Sequence, residues 1–488
     1  MRDGKLWKQF LELDENGKPV LKKSPIAGIS RRSFLAALGY TAASVSLMSC
    51  RVPEQKIIPN LKQPPEQTPG VANWYASTCS GCSAGCGTLV KVRDGRPIKL
   101  EGNPEHPISK GGLCSVAHSL VFGLYDSERL QKPLIGGKEA EWKDIDTEVS
   151  QKLNSIKEAG GKVRFLSNTI ISPTSKAVID KFLEGYEGGK HVVYEPVPNS
   201  AIGIAHLRTH GENVMPAFQF DKAKVIVSFG ADFLGTWISP VQFTRDYSNG
   251  RNLKNGQKEM SKHIQFESRM SLTGANADTR IKASSAEQVG AMILLLTTLV
   301  EKGAQSNFAN LKSLQNPKLS PQMVKHIESV AGELLKHKGG SLVVSGSNDA
   351  DKQQVVNAIN QALGNYGNSV DIDAPWLQAQ ANDEEFTELV REMKDGEVAA
   401  LIILNANPSY DYYSAKEFSE SLKKVPLKIS FNPTMDETAS LAEYNCPNHH
   451  SEPPISWRVL PSKAKSGLGF PQRFRSQSKQ RNTYSFRA

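Results

Sequence analysis

The 488-residue sequence contains no run of about 18 or more consecutive apolar residues, which argues against a membrane-spanning helix of the usual kind. It also lacks concentrated positive charge in its central part. The net charge is +9, but residues 1–50 contribute +4 and residues 451–488 contribute +7, which leaves −2 for the residues between them. Because a nucleic-acid binder concentrates basic side chains on its folded domain, this distribution argues against nucleic acid as a partner.

Apolar, strand-like runs in the central part alternate with helix-like segments, and this pattern predicts α/β layers with mainly parallel sheets. Gly230 and Gly346 each follow one of these runs, where such folds present loops to a ligand, although a loop glycine also serves a turn alone. The predicted strands are 163–166, 191–194, 225–229, 264–266, 342–344, 399–404 and 427–431, and the predicted helices include 175–186, 286–301, 321–337 and 355–363.

The N-terminal segment has the form of an export signal. Arg31 and Arg32 precede an apolar stretch at residues 34–48, so we predict an extended twin-arginine signal over residues 1–50. The alternative is a buried helix with two chance arginines. Cys50 ends a Leu-Met-Ser-Cys sequence that resembles a lipobox, which makes it a candidate lipidation site that would hold the protein to a membrane surface. A chance cysteine near a cleavage site is the alternative there.

Two other segments are not expected to form domains. Residues 51–73 contain five prolines and predict a semi-extended linker, with the folded part beginning near Trp74. Residues 451–488 carry eight Lys and Arg against one acidic residue and show no sustained apolar period. We therefore predict a disordered basic tail, whose deletion changes the stability of the folded part by less than about 0.5 kcal/mol.

Four of the six cysteines follow the pattern C-x2-C-x3-C-x27-C, formed by Cys79, Cys82, Cys86 and Cys114. Three thiolates on one tight loop can reach three corners of a cubane, and small residues between them allow the backbone to fold around it. A hairpin of strands 88–92 and 97–101 would return the fourth thiolate to the loop. A zinc site and disulfides remain alternatives. Cys446 stands alone and is interpreted as structural.

The segment around these cysteines resembles the bis-pterin iron–sulfur domain that opens members of the molybdopterin oxidoreductase superfamily. The resemblance rests on the cysteine loop TCSGCSAGCG (78–87) and on GRP (95–97), EGNPEHP (101–107), GLC (112–114) and YDSERL (125–130). It implies a 4Fe-4S Mo/W bis-MGD-type domain over residues 74–134, followed by a molybdopterin-oxidoreductase-like α/β region over 135–450. It also implies that the four cysteines hold a [4Fe-4S] cluster.

Further motifs are similar to those of one branch, the B subunit of alternative complex III. They are FGADFLGTW (229–237), FESRMSLTGANAD (266–278) and NPSY (407–410). The resemblance implies a role in electron transfer from quinol, on the periplasmic face of the bacterial inner membrane. The implied partners are a cytochrome c subunit and integral membrane quinol-binding subunits. The related subunits continue into a ferredoxin-like half, so we predict a break in the reading frame near residue 450.

Two departures make a molybdenum bis-pterin guanine dinucleotide cofactor a doubtful prediction. Catalytic relatives follow the fourth cysteine with Lys or Arg and then Gly, whereas Ser115, Val116 and Ala117 follow it here. The family's Gly-Thr-Asp, which contacts a pterin nucleotide, corresponds to residues 284–286, Ser-Ser-Ala, without a carboxylate. No cysteine lies between Cys114 and Cys446, which excludes a thiolate-ligated molybdenum. A true molybdenum oxidoreductase of a small substrate, or a redox-inactive structural subunit, are the alternative functions.

Overall fold

The computed structural model describes residues 68, 70–93, 96–253, 258–306 and 319–448, and the backbone of two short strands in the C-terminal tail. The predicted export signal with Arg31, Arg32 and Cys50, nearly all of the predicted linker and most of the tail lie outside the described residues. The described residues all belong to one unit, Gln67–Ala488. Among them, no helix has the length and apolar character needed to cross a membrane.

The strands of the described residues are, in chain order, β1 Ala72–Thr78, β2 Gly87–Arg93, β3 Arg96–Gly102, β4 Leu134–Ile135, β5 Lys138–Glu139, β6 Lys162–Ser167, β7 Lys190–Val193, β8 Met215–Phe218, β9 Val225–Phe229, β10 Lys262–Glu267, β11 Thr279–Lys282, β12 Ser341–Ser345, β13 Val370–Trp376, β14 Val398–Leu404, β15 Leu427–Ser430, β16 Tyr444–Asn445, β17 Phe474–Arg475 and β18 Thr483–Tyr484. The last two pair antiparallel with each other.

The α-helices are α1 Ser115–Ser119, α2 Trp142–Glu158, α3 Pro173–Leu183, α4 Ser200–His210, α5 Pro240–Gly250, α6 Leu272–Ala275, α7 Ser285–Glu301, α8 Pro321–Lys336, α9 Ala350–Ala362, α10 Asp383–Lys394, α11 Pro408–Asp411 and α12 Ala415–Leu422. Three short 3-10 helices cover Leu120–Tyr125, Phe220–Lys222 and Ala439–Leu441. Side chains of Ser172, Ser284, Ser320 and Asp349 cap helices by accepting backbone N–H groups, as expected for these residue types.

The first sheet is small and antiparallel, with the strand order β1-β2-β3. The predicted hairpin of β2 and β3 is confirmed, and β1 adds a third strand that begins at Ala72, two residues before the predicted start of the folded part. Val90, Leu100 and Val121 form the core beneath this sheet, between its strands and the 3-10 helix Leu120–Tyr125. We call residues 72–125, which comprise this sheet, α1 and that 3-10 helix, the cysteine region.

The rest of the described chain is built on two parallel layers. One sheet has the order β11-β10-β9-β12 with every pair parallel, and its core includes Phe229, Phe266 and Leu295. The other has the order β5-β4-β16-β15-β14-β6-β7, in which the strands from β16 to β7 are parallel. Helices pack on these sheets, so the predicted α/β class with mainly parallel sheets is confirmed. We call residues 129–448 the α/β body.

The two glycines singled out in the sequence lie at the carboxyl ends of neighbouring strands. Gly230 follows β9 with a φ of +68°, and Gly346 follows β12. A Cβ atom on Gly346 would collide with the backbone of Gly230, and the N–H group of Gly346 donates to the carbonyl of Phe229 at 3.0 Å. Close approach of these two backbones is therefore sufficient reason for glycine at position 346.

Candidate iron–sulfur site

The cysteine loop connects the first two strands of the antiparallel sheet. Cys79 directly follows β1 and Cys86 directly precedes β2, and the N–H group of Cys79 donates to the carbonyl of Cys86 at 2.7 Å. This bond closes the loop, so the cysteines at its ends sit side by side while Cys82 lies at its tip. Cys114 is the residue before α1, where its Sγ accepts the N–H group of Ala117 at 3.5 Å.

Burial and packing bring the predicted ligands together. Cys79 and Cys86 are buried, with 5% and 7% of their surface exposed, while Cys114 is half-buried and Cys82 is exposed. Cys79 and Cys86 belong to one apolar cluster with Ala84 and Ala117, and Cys114 packs against it. The structure therefore groups Cys79, Cys86 and Cys114 in one cluster. Their role as iron ligands stays a prediction.

Cys82 and Cys114 both affect the pKa of the Cys86 thiol, so they lie close to it. Burial, together with the nearby sulfurs of Cys82 and Cys114, raises the pKa of the Cys86 thiol to about 12. A thiol with such a pKa is protonated in the unloaded protein at neutral pH, and a metal must displace its proton to bind. Binding of an iron–sulfur cluster at this site would consequently release protons and would compensate the mutual repulsion of the thiolates.

None of the five cysteines of the described residues forms a disulfide. In the described part of the chain, no three His, Cys, Asp or Glu side chains are grouped so that they could hold a metal ion. A cubane differs from a single ion because each of its thiolates binds a different iron. Cys446, interpreted as structural, lies apart from the other four in the core of the larger sheet. It is 3% exposed and lines an apolar cavity of about 300 Å³.

A buried histidine supports the backbone next to Cys86. A Cβ atom on Gly87 would collide with the His106 ring, so this ring lies directly against the Gly87 backbone. The N–H group of Gly87 donates to Ser109 Oγ at 3.1 Å, and Ser109 Oγ lies 3.0 Å from Nδ1 of His106. His106 belongs to the EGNPEHP motif, but the motif predicts no role for it. The sequence feature that could have indicated this contact is Gly87, because a glycine without a Cβ atom leaves room for the His106 ring.

One helix of the α/β body reaches the cysteine region. Val241, in the first turn of α5, packs against the cluster that contains Cys79 and Cys86, and its side chain lies against the backbone of Gly112. One turn further along, Arg245 donates to the carbonyl of Ile108 and pairs with Asp246. Positions four apart lie on one face of a helix, so this face of α5 forms part of the contact.

The positions expected to contact a pterin do not have the family's chemistry. Val116 is an apolar residue at the position where catalytic relatives have a positively charged one. Ser284 caps α7, and its side chain exchanges hydrogen bonds with Glu287 in a capping box. The hydroxyl of Ser284 is thus engaged within the chain, and no carboxylate is present at 284–286. These residues do not fit the nucleotide end of a pterin cofactor.

A different part of the α/β body contains buried polar atoms without partners among the described residues. Gln378 is 1% exposed, and neither its Oε1 nor its Nε2 has a hydrogen-bond partner there. Nε1 of Trp237 is likewise buried without a partner. The rings of Trp237 and Trp376 both contact Phe243, at centroid distances of 5.6 and 4.9 Å, which places these groups around one aromatic cluster. Buried polar atoms of this kind are usually satisfied by a ligand or water.

Comparison with known proteins defines the class. The molybdopterin oxidoreductase Fe4S4 domain matches residues 72–124, and the molybdopterin oxidoreductase family matches residues 129–450. The chain therefore belongs to the molybdopterin oxidoreductase family and carries an Fe4S4 domain at its N-terminal side. The superfamily resemblance inferred from the cysteine loop is confirmed by these matches.

Individual relatives give more detail. The chain is 24% identical over 401 residues to the menaquinone reductase, molybdopterin-binding-like subunit, of Nitratidesulfovibrio vulgaris, a match that covers 75% of this chain and 57% of the relative. It is 30% identical over 192 residues to a nitrate reductase of Symbiobacterium thermophilum, covering 38% of this chain and 24% of that protein. The chain thus spans little more than half of the first relative. Acetylene hydratase from Pelobacter acetylenicus shares the fold, with a TM-score of 0.60 at 15% identity over 82% of this chain and 66% of that one.

Proposed function

We propose that this chain is an iron–sulfur electron-transfer subunit of a quinol-oxidising membrane complex of the alternative complex III type. The observation that carries the proposal is the grouping of Cys79, Cys86 and Cys114, with Cys82 close enough to raise the pKa of Cys86, inside the matched Fe4S4 domain. The similarity to a subunit of a menaquinone reductase over 75% of the chain supports a respiratory role. When bound, a [4Fe-4S] cluster would supply a one-electron relay.

The chain's own residues would serve that relay in separate ways. Cys79 and Cys86 would hold two corners of the cluster below the surface, away from water. Cys82, which is exposed, would hold the corner closest to solvent, and Cys114 would return the fourth thiolate from the start of α1. Partial burial lowers the local dielectric and helps to set the redox potential, while one exposed corner leaves a short path to a redox partner.

The export route and the assembly are part of the proposal. Arg31 and Arg32 would direct the folded protein through the twin-arginine pathway, and Cys50 would carry a lipid on the periplasmic face of the inner membrane. Cytochrome c and integral membrane quinol-binding subunits are the proposed partners. A tagged chain isolated from native membranes should bring a haem protein and multi-span subunits with it. Replacement of Arg31 and Arg32 by Lys should retain the chain in the cytoplasm.

The cluster itself is tested by iron and sulfide analysis of anaerobically purified protein. We expect about four irons and four sulfides per chain, with a sharp loss in Cys82→Ser. Cys446→Ser is the matched control, because it removes a buried thiol from the α/β body and should leave the iron content unchanged. Stoichiometric zinc, or a Cys79–Cys82 disulfide in native protein, would contradict the proposal. Protein that assembles normally without iron would instead support a purely structural subunit.

A second candidate function, a pterin-dependent molybdenum enzyme, is favoured by one observation. Gln378 and Trp237 have buried donors and an acceptor without partners in the described residues, and a polar heterocycle could supply such partners. Molybdenum and pterin analysis of protein from its native host separates this candidate from the electron-transfer subunit. Stoichiometric molybdenum, lost in Gln378→Leu but retained in Gln380→Leu, would favour the enzyme.

A further inference from the structure

His106 is buried at the point where the cysteine loop joins β2. Only 1% of its surface is exposed, and its ring lies against the backbone of Gly87, the residue after Cys86. The ring atoms nearest to that backbone are Cγ and Cδ2, and Nε2 is bonded to Cδ2. The ring of His106 therefore packs on the residue that directly follows Cys86.

The hydrogen bonds of His106 fix where its proton resides. Nδ1 accepts the backbone N–H group of Ser109 at 3.0 Å, and that of Ile108 lies at 3.3 Å. Backbone N–H groups can only donate, so Nδ1 carries no proton. The neutral ring consequently has its hydrogen on Nε2. Burial, together with the nearby positive charge of Arg245, lowers the pKa of His106 to about 4, in agreement with a neutral ring.

The Nε2–H group has no hydrogen-bond partner among the described residues, although it is buried. An unpaired buried donor of this kind is destabilising, so a partner is expected. Two groups near the ring are not acceptors: the Gly87 N–H group is itself a donor bound to Ser109, and the Arg245 guanidinium has no acceptor atom. Anionic sulfur of a bound cluster is an acceptor. Cys86, which precedes Gly87, would hold one corner of that cluster.

We propose that Nε2–H of His106 donates a hydrogen bond to sulfur at the Cys86 corner of the iron–sulfur cluster and raises its reduction potential. The inference rests on the proposed function, because it requires the cluster. Hydrogen bonds to cluster sulfur stabilise the reduced state, which carries one more negative charge, and so make reduction easier. His106 is in this sense a positioning and tuning residue, whereas the four cysteines are the ligands.

Two substitutions separate the two nitrogen atoms of the ring. In His106→Asn, the side-chain carbonyl can still accept the Ser109 N–H group, but the donor at the Nε2 position is lost. In His106→Gln, the longer amide can reach the Nε2 position and donate there. Iron content is measured first, followed by potentiometric titration of the cluster monitored by electron paramagnetic resonance. We expect a more negative midpoint potential in His106→Asn and a return toward the wild-type value in His106→Gln.

An unchanged potential in fully loaded His106→Asn would overturn the inference, and so would an equal shift in both variants, which would assign the effect to loss of the ring rather than to loss of the Nε2 donor. Wild-type protein labelled with ¹⁵N-histidine provides a test without substitution, since pulsed electron paramagnetic resonance of the reduced cluster should detect coupling to one histidine nitrogen. Absence of that coupling in a loaded cluster overturns the inference as well. Wild-type protein without iron would refute the proposed function itself, and this result is distinct because it precedes any measurement of potential.

Discussion

The cysteine region and the α/β body are stabilised in different ways. In the body, parallel strands such as β9 and β10 are buried on both faces, and Phe229 and Phe266 stack within a large apolar core. In the cysteine region, the core below the sheet is formed by three residues, Val90, Leu100 and Val121, and the second cluster consists largely of thiols and alanines. Small cores of this kind need a cross-link, such as a bound metal or a disulfide, to be stable. We infer that the body folds by apolar burial, while the cysteine region depends on what its thiols bind.

The largest expected effect comes from removing iron. Anaerobic chelation, or Cys86→Ser, should open the cysteine region, because its core is too small to hold the strands without the cluster. Hydrogen exchange followed by mass spectrometry should show β2 and β3 losing nearly all protection, while β9 and β12 keep theirs. Cys446→Ser again serves as the control. Equal loss of protection in both parts would refute the contrast between them.

A core substitution in the body should be the next largest effect. Phe266 is fully buried and stacks on Phe229 at 4.7 Å, so Phe266→Ala leaves a cavity and should cost about 3–5 kcal/mol of unfolding free energy. Phe122→Ala, at a position that is 71% exposed in the cysteine region, should cost no more than about 0.5 kcal/mol. Urea denaturation measures both. A similar cost for the two would mean that exposure does not distinguish these sites.

A buried ion pair in the body gives a somewhat smaller effect. Arg164 of β6 donates two hydrogen bonds to Glu392 of α10, at 2.7 and 2.6 Å, with both side chains nearly inaccessible. Glu392→Gln leaves the guanidinium buried without its counter-charge and should cost about 3 kcal/mol. Glu388→Gln, which weakens an exposed pair with Arg391, should cost at most about 1 kcal/mol. Chemical denaturation of the two variants at neutral pH decides the comparison.

The smallest effect is the dependence of stability on pH. Burial lowers the pKa of His206 to about 4 from its ordinary 6.5. Between pH 6.5 and 4 the unfolded chain binds a proton at this residue and the folded chain does not, so stability falls as the pH falls through this window. The loss at pH 5.5 should be about 1.4 kcal/mol for this histidine. His206→Gln should flatten the plot of unfolding free energy against pH, and an unchanged slope would contradict the assignment.

The parallel sheets could be predicted because strands buried on both faces appear as continuous apolar runs. β9 was predicted at its observed bounds, and β14 within one residue. β8 and β13 pair antiparallel with an irregular register, and each contains a proline, Pro216 or Pro375, which argues against a strand in the sequence. β1 was missed because Asn73, Trp74 and Tyr75 are only partly buried, so the strand has no clear alternation. Tertiary pairing, rather than local pattern, determines such strands.

In the candidate site, too, local sequence predicts some features while others depend on tertiary contacts. Spacing singled out the four cysteines as candidate ligands, since ligands of one cluster come from a tight loop and one returning segment. Spacing could not identify the contribution of α5, because Val241 and Arg245 are more than 100 residues distant from Cys114 in the sequence. His106 belonged to a quoted motif, but its role depends on its contact with Gly87 and on an unpaired nitrogen. Both are properties of the folded chain.

The packing of α5 on the cysteine cluster has a consequence for the order of biogenesis. Val241 packs against the cluster that contains Cys79 and Cys86, and Arg245 donates a hydrogen bond to the carbonyl of Ile108 in the neighbouring loop. A scaffold protein that delivers a preassembled cluster must reach the thiols of Cys79 and Cys86. The packed α5 helix blocks that access. Delivery therefore has to occur while the cysteine region is still undocked, with α5 packing afterwards as the closing step. A chain that docks too early would have to release α5 again before a cluster could be delivered.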